Sequence, residues 1–327
     1  LDFTVILREK KGGVRVAKAL KNQPLEEIPS EKIVKLTDMG NIKEIMYLEK
    51  RCSKPFGIKK INADQYVLLK TGEIKEYNKI ENRSQDKESL RKTFKHIREL
   101  INTNFIGSNN ELCFTITYKE NVTDPKVLYK DFDRFMKKLK YKYKSVDYIN
   151  VVEPQGRGAW HCHILLRFND YKKIYIPNKE ISKMWGHGFV SVKAIKKDID
   201  NLGAYLSAYL GDVEINDDNI RELLYDGVVK PGQDLNIKEV EVEGVKKKFI
   251  KGGRLHYYPP KMNIYRCSRG IKKPAVSHIS YEKAKKIVGA GTPTYATRTV
   301  ILDDNDEQLN SIIYEQYNLK REKNQLK

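Results

Sequence analysis

VDYINVVEPQGRGAWHCHILLRF, residues 146–168, sets two β-rich runs on either side of the turn sequence PQGRG at 154–158. Two such runs around a glycine-containing turn predict an antiparallel hairpin. His161 and His163 are two apart in the second run, so both imidazoles project from one face and Trp160, Cys162 and Ile164 from the other. Two neutral imidazoles so placed can share a divalent metal ion; the alternative is a pair of hydrogen-bonded sheet histidines. Six histidines scattered through 327 residues would produce only about 0.1 such pairs by chance, which gives the spacing weight. Glu153 stands on the first run. An odd number of turn residues puts it on the histidine face as an oxygen ligand, and an even number points it away.

Before the hairpin, ELCFTITY (111–118) reads as a strand with Thr115 and Thr117 on one face and Phe114 and Ile116 on the other. Asp124 and Pro125 form a helix start, and Leu128, Phe132, Phe135 and Leu139 give the buried stripe of a helix to about residue 142. Its solvent side carries Lys130, Arg134, Lys137, Lys138, Lys140 and Lys142. After the hairpin, residues 179–185 read as a helix, WGHG turns, and FVSVKAI (189–195) returns as a strand. Asp198 to Leu210 is a further helix with Ile199, Leu202, Leu206 and Leu210 inward. Tyr205 and Tyr209, four apart, share one side of that helix. With 20 tyrosines this spacing arises about once by chance, so its place one strand after the hairpin is what singles it out. His187, in a glycine-flanked turn, reads as a surface or capping group.

Alternating strands and helices of this kind predict an α+β fold. Three segments are expected: an N-terminal basic α+β segment over 1–105, a middle domain over 106–215, and a basic C-terminal segment with a tail over 216–327. The first contains a strand, turn and strand at 66–80 and a helix at 86–102 with Leu90, Phe94, Ile97 and Ile101 inward. The last contains a helix from Ser280, a TYATRTVIL strand (294–302) and a charged tail.

The chain carries 62 Lys and Arg against 43 Asp and Glu, a formal charge of +19. Charged residues make up 32% of it, and no apolar run approaches the roughly 18 residues that span a bilayer, so a membrane-embedded protein is excluded as a class and a cytoplasmic one is expected. Its four cysteines contain no CxxC pair, which fits a reducing compartment and indicates neither a disulfide framework nor a cysteine zinc site. The basic excess points to a polyanion. Because it is spread over several segments and interleaved with tyrosines, nucleic acid is favoured over a membrane surface. Residues 244–273 concentrate ten Lys or Arg with no acid among them, together with Tyr257, Tyr258 and Tyr265, and read as a track for a DNA backbone. No GxxxxGK[ST] occurs, so an ATP site is not expected.

Three motifs in order, FTITY (114–118), Glu153 with WHCHILLRF (160–168), and AYLSAYLGD (204–212), together resemble the HUH endonucleases that start rolling-circle replication of phages and plasmids, in their two-tyrosine form. The likeness extends through TGEIKEY, ENRS, WGHGFVSVK and YPPKMNIYRCSRGIKKP, most of residues 60–275. The relaxases of conjugation differ, with their tyrosine ahead of the histidines. The resemblance implies a central antiparallel sheet carrying the histidines, with the tyrosine helix laid against it and added α+β segments at both ends. It implies Mg2+ or Mn2+ held by His161, His163 and Glu153, and nucleophilic Tyr205 and Tyr209 that nick single-stranded or hairpin origin DNA in the bacterial host. The products are a 5′-phosphotyrosine and a 3′-hydroxyl primer, with a host helicase and polymerase as partners.

The family commonly places lysines where this chain has Ala208 and Gly211, so Lys193, Lys196 or Arg157 becomes the candidate source of that charge. If a single tyrosine acts, the motif aligns on Tyr205. Further DNA contacts are expected from Thr115, Thr117, Arg254, Tyr258, Arg266, Arg269, Lys272 and Lys273. The competing expectations are a transposase or mobilisation enzyme with the same chemistry and a noncatalytic origin-binding protein.

Overall fold

The computed structural model describes residues 3–10, 13–50, 58–62, 64–69, 71–77, 86–155, 158–195, 201–203, 213–215, 237–242, 245–250, 254–289, 291–303 and 305–321. The fold is α+β, built on antiparallel sheets. The chain divides into two compact units, residues 80–273 and residues 1–79 with 274–327. This differs from the three expected segments. The helix near residue 90 belongs with the hairpin, and the last fifty residues return to the sheet begun by the first fifty.

The first unit opens with β1 (Phe3–Lys10), β2 (Gly13–Gln23), β3 (Ile33–Asp38) and β4 (Ile42–Leu48). A small sheet of β5 (Ile58–Lys60), β6 (Gln65–Leu68) and β7 (Ile74–Glu76) follows, with Gly72 at φ +71 in the expected turn.

The second unit runs from α1 (Lys87–Asn104), β8 (Glu111–Thr117) and α2 (Pro125–Tyr143) to the hairpin of β9 (Val146–Pro154) and β10 (Trp160–Phe168). Next come α3 (Asn178–Trp185), β11 (Val190–Ala194), β12 (Val213–Ile215), β13 (Ile237–Val242), β14 (Val245–Ile250) and β15 (Tyr265–Cys267). The chain ends, again in the first unit, with β16 (Ala275–Ser280), α4 (Tyr281–Val288), β17 (Tyr295–Leu302) and β18 (Gln308–Asn318). The expected tail is thus in part an eleven-residue strand.

In the first unit the large sheet has the order β1-β2-β17-β18-β4-β3-β16. α4, capped by the Ser280 side chain, packs Ala284 and Val288 against Val34, Leu36, Ile45 and Ile313. In the second unit five antiparallel strands follow the order β11-β8-β10-β9-β15, and β12-β14-β13 form a separate sheet. The histidine strand is therefore the central one, with hydrogen-bonded neighbours on both sides.

The two faces of the five-stranded sheet have different covers. Asp124 caps α2 and Pro125 occupies its first turn, as expected, and the buried stripe Leu128, Phe132, Phe135 and Leu139 joins one core with Phe114, Ile116, Cys162 and Ile164. Burying each such side chain stabilises the fold by about 1.5–3 kcal/mol. The Phe132–Tyr148 ring contact fixes α2 on the face opposite the histidines, because Tyr148 alternates with Ile149, Val151 and Glu153 along β9. On the histidine face α1 meets the sheet edge, where His96 lies edge-on to Tyr265 of β15 at 5.7 Å.

Gly203, one of two helical residues at the start of the expected tyrosine helix, sits against α1. Its backbone N–H donates to Asn102 Oδ1, and a Cβ there would lie 2.5 Å from the Arg98 carbonyl oxygen. Backbone cannot yield as a side-chain tip can, so Gly203→Ala is expected to cost about 1–3 kcal/mol and lower Tm by several degrees in a thermal melt.

Candidate metal centre and DNA-facing surface

Register decides the parity question left open by the turn. Trp160 pairs with Pro154 and His161 with Glu153, so five residues, 155–159, connect the paired strands. Glu153 and His161 stand directly opposite each other with side chains on one face, and His163 follows beside Val151.

The three ligand-type atoms converge. His161 Nε2 lies 2.9 Å from His163 Nε2, and Glu153 Oε2 lies 3.3 Å from His161 Nε2 and 3.2 Å from His163 Nε2. A cation with ligand bonds of about 2.1 Å and right-angle coordination would hold neighbouring donors about 3.0 Å apart. The observed edges fit three such positions around one ion. Three lone-pair-bearing atoms this close are electrostatically unfavourable unless a proton or cation lies among them, and the same trio is the metal-binding cluster found among the described residues. Glu153 and His161 are buried, whereas the His163 side chain is 36% exposed, so the centre opens to solvent on the His163 side.

The electrostatics favour a ligand-ready state. Burial by itself would raise the Glu153 carboxyl, but hydrogen bonds and charge from His161 and His163 outweigh it and hold the group well below the usual carboxylate range. Burial lowers His161, countered in part by Glu153, which keeps its imidazole neutral at pH 7. Metals bind the deprotonated forms of both groups. Thr115 Oγ1 lies 3.3 Å from His163 Nδ1, the ring nitrogen facing away from the cluster, and so steadies the orientation of that imidazole. His161 Nδ1 is buried with no hydrogen-bond partner, leaving ring packing to orient it.

Several residues expected at the DNA have other work. Arg254 donates from Nη1 to Glu153 Oε1 at 3.0 Å, the oxygen not directed at the histidines. It is placed there by Tyr258, whose ring is fully buried against Trp160 and whose hydroxyl donates to the Val152 carbonyl. Tyr258 is therefore a core anchor and cannot stack on a base. Arg266 lies on the opposite face, paired with Asp133 and stacked over Tyr129 and Phe132. The Thr117 hydroxyl donates to the Phe189 carbonyl, locking β8 to the chain entering β11.

Lys193 is exposed on β11, opposite Cys113, and shares the histidine face. Arg269, Lys272 and Lys273 are exposed after β15, with the Lys272 backbone held in both directions by Asn104. Arg157, Lys196, Tyr205 and Tyr209 lie outside the described residues. His187 keeps its expected structural role, its ring near Trp185 and Tyr118 and its Nε2 3.7 Å from Asp131.

Sequence reasoning missed the Arg254–Glu153 pair, since 101 residues separate the two. The only signal was a lone arginine entering an aromatic run. Arg254→Ala is expected to weaken Mn2+ binding about tenfold, measured by calorimetric titration. Loss of carboxylate orientation outweighs relief of repulsion, because the guanidinium is partly solvent-screened.

Residues 111–214 match a family model of replication-associated proteins, the ORF2 type. The chain is also similar to the phasyl DNA replicon protein arp of Escherichia coli, 25% identical over 127 residues, which covers 32% of this chain and 44% of that protein. Less than half of that relative's length is therefore spanned.

Proposed function

We propose that the protein is a replication initiator that nicks one DNA strand at an origin and stays covalently attached to the 5′ end. The observation that carries this reading is the convergence of His161, His163 and Glu153 on one face of the sheet, inside the region that matches a replication-associated family. A hard carboxylate oxygen beside two imidazoles suits Mn2+, with Mg2+ as the alternative. Bound there, the ion would polarise a nonbridging phosphate oxygen and offset charge gathering on phosphorus.

The chain's own residues do the rest. Glu153 and the two imidazoles bind, Thr115 and Arg254 orient them, and Lys193 and the exposed cations after β15 attract the phosphate backbone. The Tyr205 or Tyr209 oxygen attacks phosphorus in line and gives up its proton. The bond from phosphorus to the 3′ oxygen breaks, and that oxygen takes up a proton as the 3′-hydroxyl primer. Later attack by a 3′-hydroxyl on the phosphotyrosine reverses the step without ATP, and a second tyrosine lets one 5′ end be held while another is made. Unwinding and synthesis fall to a helicase and a polymerase of the host. The docking of Gly203 on α1, the helix that also reaches β15, supports a tyrosine helix on the histidine side.

The test is to incubate the protein with single-stranded DNA tiled across its gene and flanks, with Mn2+ or with chelator. A protein–DNA adduct that survives denaturation only when metal is present is expected. Tight binding without an adduct in either metal would instead make the protein a noncatalytic origin binder.

A further inference from the structure

Between the first turns of α1 and the edge strand β15 lies an open cleft of about 490 Å³, lined by Asp86, Ser89, Lys92, Thr93, His96 and Tyr265. Its place on the sheet gives it meaning. Tyr265 pairs with Val151, and Val151 with His163, so Tyr265 projects from the metal-binding face two strands from His163. At about 4.8 Å between strands, the two positions are about 10 Å apart. A strand with one phosphate at the histidines therefore carries a neighbouring nucleotide over this cleft.

The lining suits a base. Tyr265 and His96 meet edge to face and form an aromatic wall, with the Tyr265 ring only half-buried. Lys92 supplies positive charge beside it, and Asp86, Ser89 and Thr93 line the cleft with polar side chains. The volume lies within the range of small-ligand sites, about 300–1,000 Å³, and is too small for a duplex. We propose that this cleft holds one unstacked nucleobase of single-stranded DNA beside the strand bound at the metal centre. The inference rests on reading the protein as a DNA-binding initiator, but it does not require that the protein cut.

Stacking on an aromatic side chain contributes about 1–3 kcal/mol per base, so its loss is a change of roughly 5- to 150-fold in affinity. Two measurements on the full chain test the proposal, both in chelator so that nicking plays no part. In the first, a single-stranded oligonucleotide containing 5-iodouracil is photocrosslinked to the protein and the attachment mapped by mass spectrometry. Attachment at Tyr265 or His96 is expected, and attachment exclusively elsewhere overturns the proposal.

In the second, the affinities of an oligothymidine and an abasic strand of equal length are compared by anisotropy. Tyr265→Ala should lose at least fivefold of the preference for the strand with bases while keeping its affinity for the abasic one, and Tyr265→Phe should retain both. Equal loss toward both strands, or an unchanged preference, overturns the assignment. Competition by thymidine 5′-monophosphate as effective as by the oligonucleotide would make the cleft a free-nucleotide site and likewise overturn it. Failure of the adduct assay with a positive crosslink would remove the nickase reading and leave the base site standing.

Discussion

Replacing His161 and His163 together with alanine is expected to abolish Mn2+ binding in calorimetry and to slow adduct formation about a thousandfold or more, with the protein still folded. The magnitude follows from what the ion supplies. Stabilising the charge that gathers on a phosphate in the transition state is worth several kcal/mol, and about 4 kcal/mol corresponds to a thousandfold in rate. Folding should survive, because the histidines project from the face opposite α2 while Cys162 and Ile164 between and beyond them remain in the core. The outcome that would sink the metal reading is a double variant that binds Mn2+ like the wild type, or that loses its cooperative thermal transition along with its metal.

The same cluster sets a pH dependence. His161 is held below the ordinary imidazole value of about 6.5 and Glu153 below that of a free carboxylate. In both cases the unfolded chain takes up protons more readily than the folded one as pH falls. The metal-free protein should therefore be most stable above about pH 6.5, lose the His161 contribution as acid takes the pH below that, and lose the Glu153 contribution only at strongly acidic pH. Melting temperatures in chelator across pH 4–8 check this, and a rise in Tm toward pH 5 would contradict it.

Changing Tyr205 and Tyr209 together to phenylalanine is expected to eliminate the denaturation-resistant adduct while leaving binding of single-stranded DNA within about twofold. A phenyl ring preserves the packing of a tyrosine and removes only the oxygen that forms the covalent bond, so the loss should fall on chemistry and not on affinity. The single variants separate the roles. If Tyr205 acts first, Tyr205→Phe alone removes the initial adduct, and Tyr209→Phe permits one cut but blocks transfer to a second end. Full adduct formation by the double variant would place the nucleophile elsewhere in the chain.

How far the amino-acid pattern reaches is clearest at particular residues. The helix at Pro125 was legible because Asp124, Pro125 and a four-three-four apolar stripe are local signals, and the hairpin was legible because β-rich runs flank a glycine turn. That His161 and His163 share a face follows from strand pleat alone. Glu153 needed the register, which depends on the paired turn length. Four strands among the first fifty residues were not foreseen, because their partners β16, β17 and β18 lie more than two hundred residues away.

Tyr258 and Arg266 looked like DNA contacts because composition reports charge and aromaticity but not burial. Folding turned one into a core anchor and bound the other to Asp133 behind the sheet. Local order and side-chain alternation thus determined the chemistry on offer: two imidazoles on one strand face, a basic chain and a tyrosine pair downstream. Only the tertiary structure decided that Glu153 completes the cluster, that Arg254 serves that carboxylate, and that a base-sized cleft lies two strands from the histidines. Those facts arise from contacts between distant segments, whose geometry is set by packing and pairing energies that no short window of sequence contains.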